Sequence, residues 1–283
     1  MATTIIRGGG DLASGVALRL HRAGLRVVIT ELAKPLVVRR SVAFAQAVFE
    51  SQAAVEGVRA RLIGDPAEVE KAWRSGEIPV LIDPAASCRL ILKPLILVDG
   101  RMTKKPPDLG IDSAPMVIGL GPGFYAGKDC HAVIETQRGH YLGRVIWQGS
   151  TEPDTGVPES LGDALLPSDS GAGRRTAYPA RVLRSPVSGV LIAHASIGDL
   201  LEVGQPVAEV GGKMILAPLR GALRGLLYSG LRVEAGMKIA DIDPRADPRY
   251  CTLVSDKSLA VAGGVLEAIL SRPEIRDRCW ESV

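Results

Sequence analysis

Short apolar runs, each closed by glycine, proline or an acidic residue, alternate with segments of helical period through the first half of the chain. Ile5-Ile6, residues 25–30, Ile78-Pro79-Val80-Leu81-Ile82, Leu95-Ile96-Leu97-Val98 and Met116-Val117-Ile118 are apolar without alternation, which predicts strands buried on both faces. Between them, residues 12–23 predict a helix ending at Gly24 as a left-handed cap. Asp65-Pro66, an N-cap followed by proline at N1, opens another helix to about Arg74. Ser41 is expected to cap a short helix through Val48, and residues 55–63 are expected to form one strand carrying Glu56, Arg59 and Arg61. Residues 132–136 and 141–147, around Gln137-Arg138-Gly139, predict a hairpin adding antiparallel strands. Strands alternating with helices imply a mainly parallel sheet. Its C-terminal strand ends would collect Gly8–Gly10, Glu31, Asp83 and Asp99, at the edge where open α/β sheets bind ligands.

The pattern changes after Ser150. Pro153-Asp154-Thr155-Gly156 and Pro167-Ser168-Asp169-Ser170-Gly171-Ala172-Gly173 are loop or linker in composition. The next segment repeats itself at an offset of 32, pairing Pro186 with Pro218, Gly189 with Gly221, Gly198 with Gly230, Glu202 with Glu234, Gly204 with Gly236 and Ala208 with Ala240. Such a period marks duplicated supersecondary units. Two four-strand halves would build a small β sandwich with a pseudo-twofold. Ser255-Asp256 then caps a last helix, residues 259–270, expected to return to the first domain. The boundaries that follow are residues 1–160 for a ligand-binding α/β domain, 161–177 for a linker, 178–244 for the β repeat and 245–283 for the C-terminal helical segment.

The densest chemistry lies in Arg7-Gly8-Gly9-Gly10-Asp11-Leu12-Ala13. Gly8-x-Gly10-x-x-Ala13 fits a strand–turn–helix that aims backbone N–H groups and a positive dipole end at an anion. Glu31 closes the second predicted strand, where a ribose-binding acid would stand. Arg7, at the end of a buried strand, is costly unless paired or facing a site. Asp11 either contacts a ligand or caps the helix. Arg39 and Arg40 offer guanidinium forks to phosphates, or are simply solvated. A second glycine turn, Gly119-Leu120-Gly121-Pro122-Gly123, adds Gly121 and Gly123 as candidate anion contacts, although Pro122 removes one donor.

Composition narrows the classes. The 283 residues suit two domains, and a net charge of +3 without a basic run, with 4% aromatics, points away from nucleic acid. Cys88, Cys130, Cys251 and Cys279 form no C-x-x-C, so neither a disulfide framework nor a zinc site is expected. His131, Glu135 and His140 lack the spacing of a known metal site, and no metal is expected. Cys88 and Cys130 are either sulfur or selenium carriers or buried inert thiols. The Met1-Ala2-Thr3-Thr4 start and interrupted apolar runs predict no signal peptide, no membrane contact and a cytoplasmic protein. Self-association is compatible with the sequence.

The β repeat resembles the biotinyl/lipoyl carrier fold, the hammerhead, in which a lysine sits on the hairpin between halves. Lys213 occupies that place, but Gly211-Gly212 precedes it where carriers have an acidic or Ala-Met pattern. Nearly the whole chain resembles the YqeB-type accessory proteins of selenium-dependent molybdenum hydroxylase systems. The resemblance is carried by residues 7–15, Glu31, Pro35, Arg39-Arg40, residues 118–124, Ala126-Gly127, residues 131–136, Arg138-Gly139-His140, Leu142-Gly143-Arg144 and Asp241-Ile242-Asp243-Pro244-Arg245. It implies a Rossmann-like three-layer α/β domain followed by a small all-β hammerhead-like domain and a C-terminal helix. It also implies a role in maturing a molybdenum enzyme, with that enzyme or its maturation proteins as partner. The ligand would then be a phosphate-bearing molecule such as a molybdopterin dinucleotide. The glycine turn with Glu31 leaves a second function open, an NAD-dependent oxidoreductase with NAD as cofactor. Whether the chain is an enzyme, and which residues would be catalytic, stays open at this level.

Overall fold

A computed structural model describes residues 2–102, 106–153 and 181–280. The chain divides into two compact units, residues 1–154 with 253–283, and residues 155–252.

Unit 1 is built on a nine-stranded sheet. Its strands are β1 (Thr3–Arg7), β2 (Arg26–Glu31), β3 (Gln52–Val55), β4 (Val58–Ile63), β5 (Ile78–Ile82), β6 (Ile96–Asp99), β7 (Met116–Leu120), β8 (Ala132–Ile134) and β9 (Val145–Ile146). They lie in the order β3-β4-β5-β2-β1-β6-β7-β8-β9. All neighbours from β4 to β8 pair parallel, and the outer pairs β3–β4 and β8–β9 are antiparallel. The order reverses between β1 and β6, a topological switch point of the Rossmann type. Alternation along each buried strand sends neighbours to opposite layers. Ile6, Val27 and Ile29 join one core cluster, and Ile5, Val28 and Leu81 another. This is why the strand segments are apolar without alternation.

The first layer holds α1 (Asp11–Arg22), the short α2 (Ala47–Glu50) and, from the chain's end, α6 (Asp256–Leu270), which packs along α1. On the other side lie α3 (Val69–Arg74) and α4 (Arg89–Leu92). The cap expected at Asp65 is present as a full capping box with Glu68, ahead of Pro66 in a 3-10 turn. Ser255 caps α6 by accepting the Ser258 N–H.

Three local expectations are corrected. Residues 55–63 are not one strand: Glu56 and Gly57 both take positive φ, which turns the chain between β3 and β4. Ser41 does not cap a helix, because residues 40–46 form two successive 3-10 turns before α2. The segment after the second glycine turn is not wholly antiparallel, since β8 pairs parallel with β7 and only β9 reverses.

Unit 2 contains β10 (Val182–Arg184), β11 (Gly189–Ala193), β12 (Leu200–Leu201), β13 (Pro206–Val210), β14 (Lys213–Leu216), β15 (Gly221–Leu226), β16 (Arg232–Val233) and β17 (Lys238–Asp243), then α5 (Arg249–Thr252). Its two four-stranded sheets run β10-β17-β15-β12 and β14-β13-β11-β16. Exchanging every strand for its repeat mate, 32 residues ahead for β10 and β12 and 32 behind for β17 and β15, converts the first order into the second, so the offset in sequence is a pseudo-twofold in space. Gly211 and Gly212, both at positive φ, form the tip joining the halves, and Lys213 pairs with Val210 beside the tip. The final short helix, α7 (Pro273–Arg276), follows α6. No helix among the described residues is long and apolar enough to cross a membrane.

Adjacent glycines in α6 have opposite surroundings. A Cβ at Gly264 would run into the Gly143 carbonyl and Ile134, whereas one at Gly263 would meet nothing within 4 Å. Gly264→Ala is expected to cost about 1–3 kcal/mol by overpacking. Gly263→Ala is expected to add about 0.5–1 kcal/mol by restricting the unfolded chain. Urea denaturation of both variants checks the pair.

Candidate ligand-binding site

The site is built where β1 hands over to α1. The extended turn residue Gly10 is the N-cap of α1, and no side chain caps the helix. First-turn N–H groups without a capping side chain, together with the dipole's positive end, constitute an anion-binding element. A Cβ at Gly10 would meet only Val37, at 3.9 Å, so this side of the turn is open. Gly9 is the opposite case. An added Cβ would stand 2.8 Å from the Ala45 nitrogen, and the Gly9 carbonyl accepts from Ala45 N–H (2.9 Å) and Ser14 Oγ (2.9 Å). Gly8, at φ +89°, backs onto the Arg101 backbone. The glycines therefore have separate jobs: Gly8 and Gly9 fit the turn to its own chain, and Gly10 leaves room in front of the helix.

Glu31 ends β2, nearly buried, with its carboxylate turned back on the turn. Oε1 accepts the Gly9 N–H at 2.6 Å and Oε2 accepts the Leu32 N–H at 2.7 Å. Burial pushes its pKa above the usual carboxylate range, and the two N–H groups pull the other way. Asp11 is tied down as well. Its Oδ2 accepts from Arg39 Nη1 at 3.0 Å and its Oδ1 from Ser258 Oγ at 3.0 Å. Arg39 also donates to the Leu253 carbonyl, so it joins the start of α1 to the return of the C-terminal segment. Arg40 lies one residue on, donating to Gln46 at 3.4 Å.

Arg7 pairs in register with Asp99 across the switch point and is completely buried. Its Nη1 donates to Asp99 Oδ2 (3.0 Å) and Asp108 Oδ1 (2.7 Å), and its Nη2 to Asp108 Oδ2 (3.0 Å) and the Pro84 carbonyl (3.0 Å). Arg101 holds the same two carboxylates, with Nη2 at 2.7 Å from Asp99 and 2.6 Å from Asp108. The four side chains alternate in charge, which is what lets the Arg7 cation stay buried. Sequence patterning does not single out Arg101 or Asp108. The only local signal is an arginine directly after the Asp99-Gly100 strand end.

With this geometry in place, the chain can be set beside known proteins. Over 266 residues it is 49% identical to the uncharacterized protein YqeB of Escherichia coli, a match spanning 94% of this chain and 47% of that relative. The chain thus spans about half the length of the curated relative it matches. No family model matches it.

The second glycine turn is built differently from the first. Gly121 already donates its N–H to the Ile134 carbonyl at 2.9 Å. Gly121 and Gly123 both take positive φ, and Phe124 packs over Gly119. Shape, rather than a row of donors, is what this turn supplies. His131 Nδ1 accepts the Val117 N–H, and Glu135 accepts from Gln137 and Glu152, so neither is poised toward a shared ligand. The Cys88 and Cys130 thiols are each pushed up to about 12, first by burial, and they stay protonated at neutral pH. Of the ten residues singled out, Glu31 meets Gly9 and Arg39 meets Asp11 at the start of α1, whereas Arg7 turns to Asp99, Asp108 and Pro84, Arg40 to Gln46 and Gly121 to Ile134, and Gly123 lies in the second turn.

Asp108 gives the cluster a measurable pH signature. The hydrogen bonds from Arg7, followed by those from Arg101, hold its carboxyl well below the usual range. An acid whose pKa is depressed by folding stabilises the fold above its unfolded pKa, and that stability is lost as pH falls. Wild type is therefore expected to exceed Asp108→Asn in unfolding free energy by a constant amount above about pH 5, the gap shrinking as pH falls further. Urea titrations at a series of pH values check this; a gap that widens in acid contradicts it.

Proposed function

We propose that unit 1 binds a phosphate-bearing small molecule, a nucleotide or a molybdopterin-type ligand, in front of α1. In this proposal the chain serves as an accessory protein in the maturation of a selenium-dependent molybdenum hydroxylase. The observation that carries the ligand assignment is the uncapped start of α1, placed at the switch point with Gly10 open before it. Such a helix start favours an oxyanion through its N–H groups and dipole together. The maturation role, and a molybdenum enzyme or its maturation proteins as partner, rest on the motif resemblance, with which the likeness to YqeB is in keeping.

An NAD-dependent oxidoreductase is the second reading: Glu31 ends β2 where a ribose diol would be held, and each of its oxygens keeps acceptor capacity beyond the one backbone N–H that it accepts. Neither Cys88 nor Cys130 supports a thiolate sulfur carrier, given their raised pKa values.

A thermal-shift panel of ATP, CTP, NAD, NADP and molybdopterin cytosine dinucleotide tests the proposal. A specific ligand at 100 times its dissociation constant adds about 2.7 kcal/mol to stability. Gly10 has ordinary φ and an open Cβ direction, so Gly10→Val is expected to fold normally and lose the shift. A panel in which no nucleotide moves the wild-type transition sinks the assignment.

A further inference from the structure

Two arginines and two aspartates meet at the switch point, and they differ in how firmly they are held. Arg7 is fixed at the end of β1 and Asp99 at the end of β6, and the Asp99 side chain is only 4% exposed. Arg101 follows directly and clasps Asp99 with Nε and Nη2. Asp108 comes from farther along the same connection between β6 and β7, and its side chain is 54% exposed. Its two oxygens take both terminal nitrogens of Arg7 and those of Arg101. A pair of guanidinium forks closing on one planar anion is the geometry proteins use for carboxylate and phosphate ligands. The cluster also has a donor to spare, since Arg7 Nε is buried without an acceptor among the described residues. Finally, the Arg101 backbone abuts Gly8, so this anion position adjoins the glycine turn.

We propose that Arg7 and Arg101 form a phosphate-oxyanion subsite that Asp108 fills as an internal surrogate, and that a phosphate group of the ligand binds there by displacing Asp108. The inference rests on the assignment of a phosphate-bearing ligand to unit 1 and adds a second anchoring point to it. When Asp108 leaves, Arg7 and Arg101 retain Asp99 as their carboxylate partner, with the Pro84 carbonyl still on Arg7, and an unbalanced cation as deeply buried as Arg7 is costly. An incoming phosphate oxyanion restores the balance with one negative charge and, as a dianion, brings one more than the Asp108 carboxylate that it displaces. Displacement needs no rearrangement of the strands, because Arg7, Asp99 and Arg101 keep their mutual contacts.

The test is calorimetric titration of inorganic pyrophosphate, with malonate as the dicarboxylate arm, into the wild type, Asp108→Asn, Arg101→Ala and Gly10→Val. Asparagine keeps the shape of Asp108 but competes without charge. Pyrophosphate is expected to bind Asp108→Asn at least tenfold tighter than wild type and Arg101→Ala at least tenfold weaker, with malonate weaker than pyrophosphate throughout. Equal affinity of wild type and Asp108→Asn, with binding still lost in Gly10→Val, overturns the surrogate while leaving the helix site standing. Binding that depends on Asp108 and Arg101 but not on Gly10 supports the subsite and removes the helix site. No binding by any variant overturns both, and tighter malonate than pyrophosphate overturns the phosphate assignment. Should Asp108→Asn not fold, amide NMR of the wild type decides instead. Pyrophosphate is expected to shift the Asp108 amide, and an unmoved Asp108 signal with shifts elsewhere overturns the proposal.

Discussion

A guanidinium with no solvent exposure, at the end of the central strand, constrains everything around it. A buried cation survives only among anions and carbonyls. Arg7 obtains them from three different strand ends or connections: Asp99 at the end of β6, Pro84 after β5 and Asp108 on the way to β7. These contacts fix the C-terminal edge of the parallel sheet at the switch point. The glycine turn that follows Arg7 is then held by Glu31 from β2 and by Ala45, which leaves Gly10 as the open position. Thus the electrostatics of one buried residue and the opening before α1 are parts of one construction.

The C-terminal return completes that construction. Ser258 of α6 donates to Asp11, and a Cβ at Gly15 of α1 would stand 2.7 Å from Ser258 Cβ, so the two helices approach closely at the start of α1. Arg39 joins Asp11 to the Leu253 carbonyl. Asp11, the first residue of α1, is consequently positioned by residues far along the chain. Unit 2 shows a different economy. The pseudo-twofold relates its two sheets, yet their chemistry has diverged. Asp241, with Arg181 and Arg224 as partners, carries a buried ionic network on one sheet. Its repeat mate Glu209 lies on the sheet whose Val190, Ile192, Met214 and Leu216 are about half exposed.

Much of unit 1 was legible because burial on both sheet faces leaves unbroken apolar runs and glycine or proline marks their ends. Arg7 stood out for the same reason, a charge where the pattern demanded an apolar residue. The repeat was legible because turn glycines are constrained by backbone conformation and persist at a fixed offset. What escaped were features set by tertiary contact. Asp108 lies 101 positions from Arg7, and nothing local in Pro106-Pro107-Asp108 announces a partner. The Glu56-Gly57 turn was hidden because Val55 stands so close to the alternation of Val58, Ala60 and Leu62 that the break in phase between them is short. Glu31 was visible as an acid at a strand end, but its use in bracing the Gly9 N–H depends on the fold of the turn.

The most direct measurement is a titration of the intact, isotopically labelled protein with pyrophosphate, followed by backbone amide NMR. The account predicts saturable shifts centred on Gly10, Asp11 and Leu12, the first residues of α1. Saturable shifts that leave these amides unmoved, or no shifts at any accessible concentration, would contradict it.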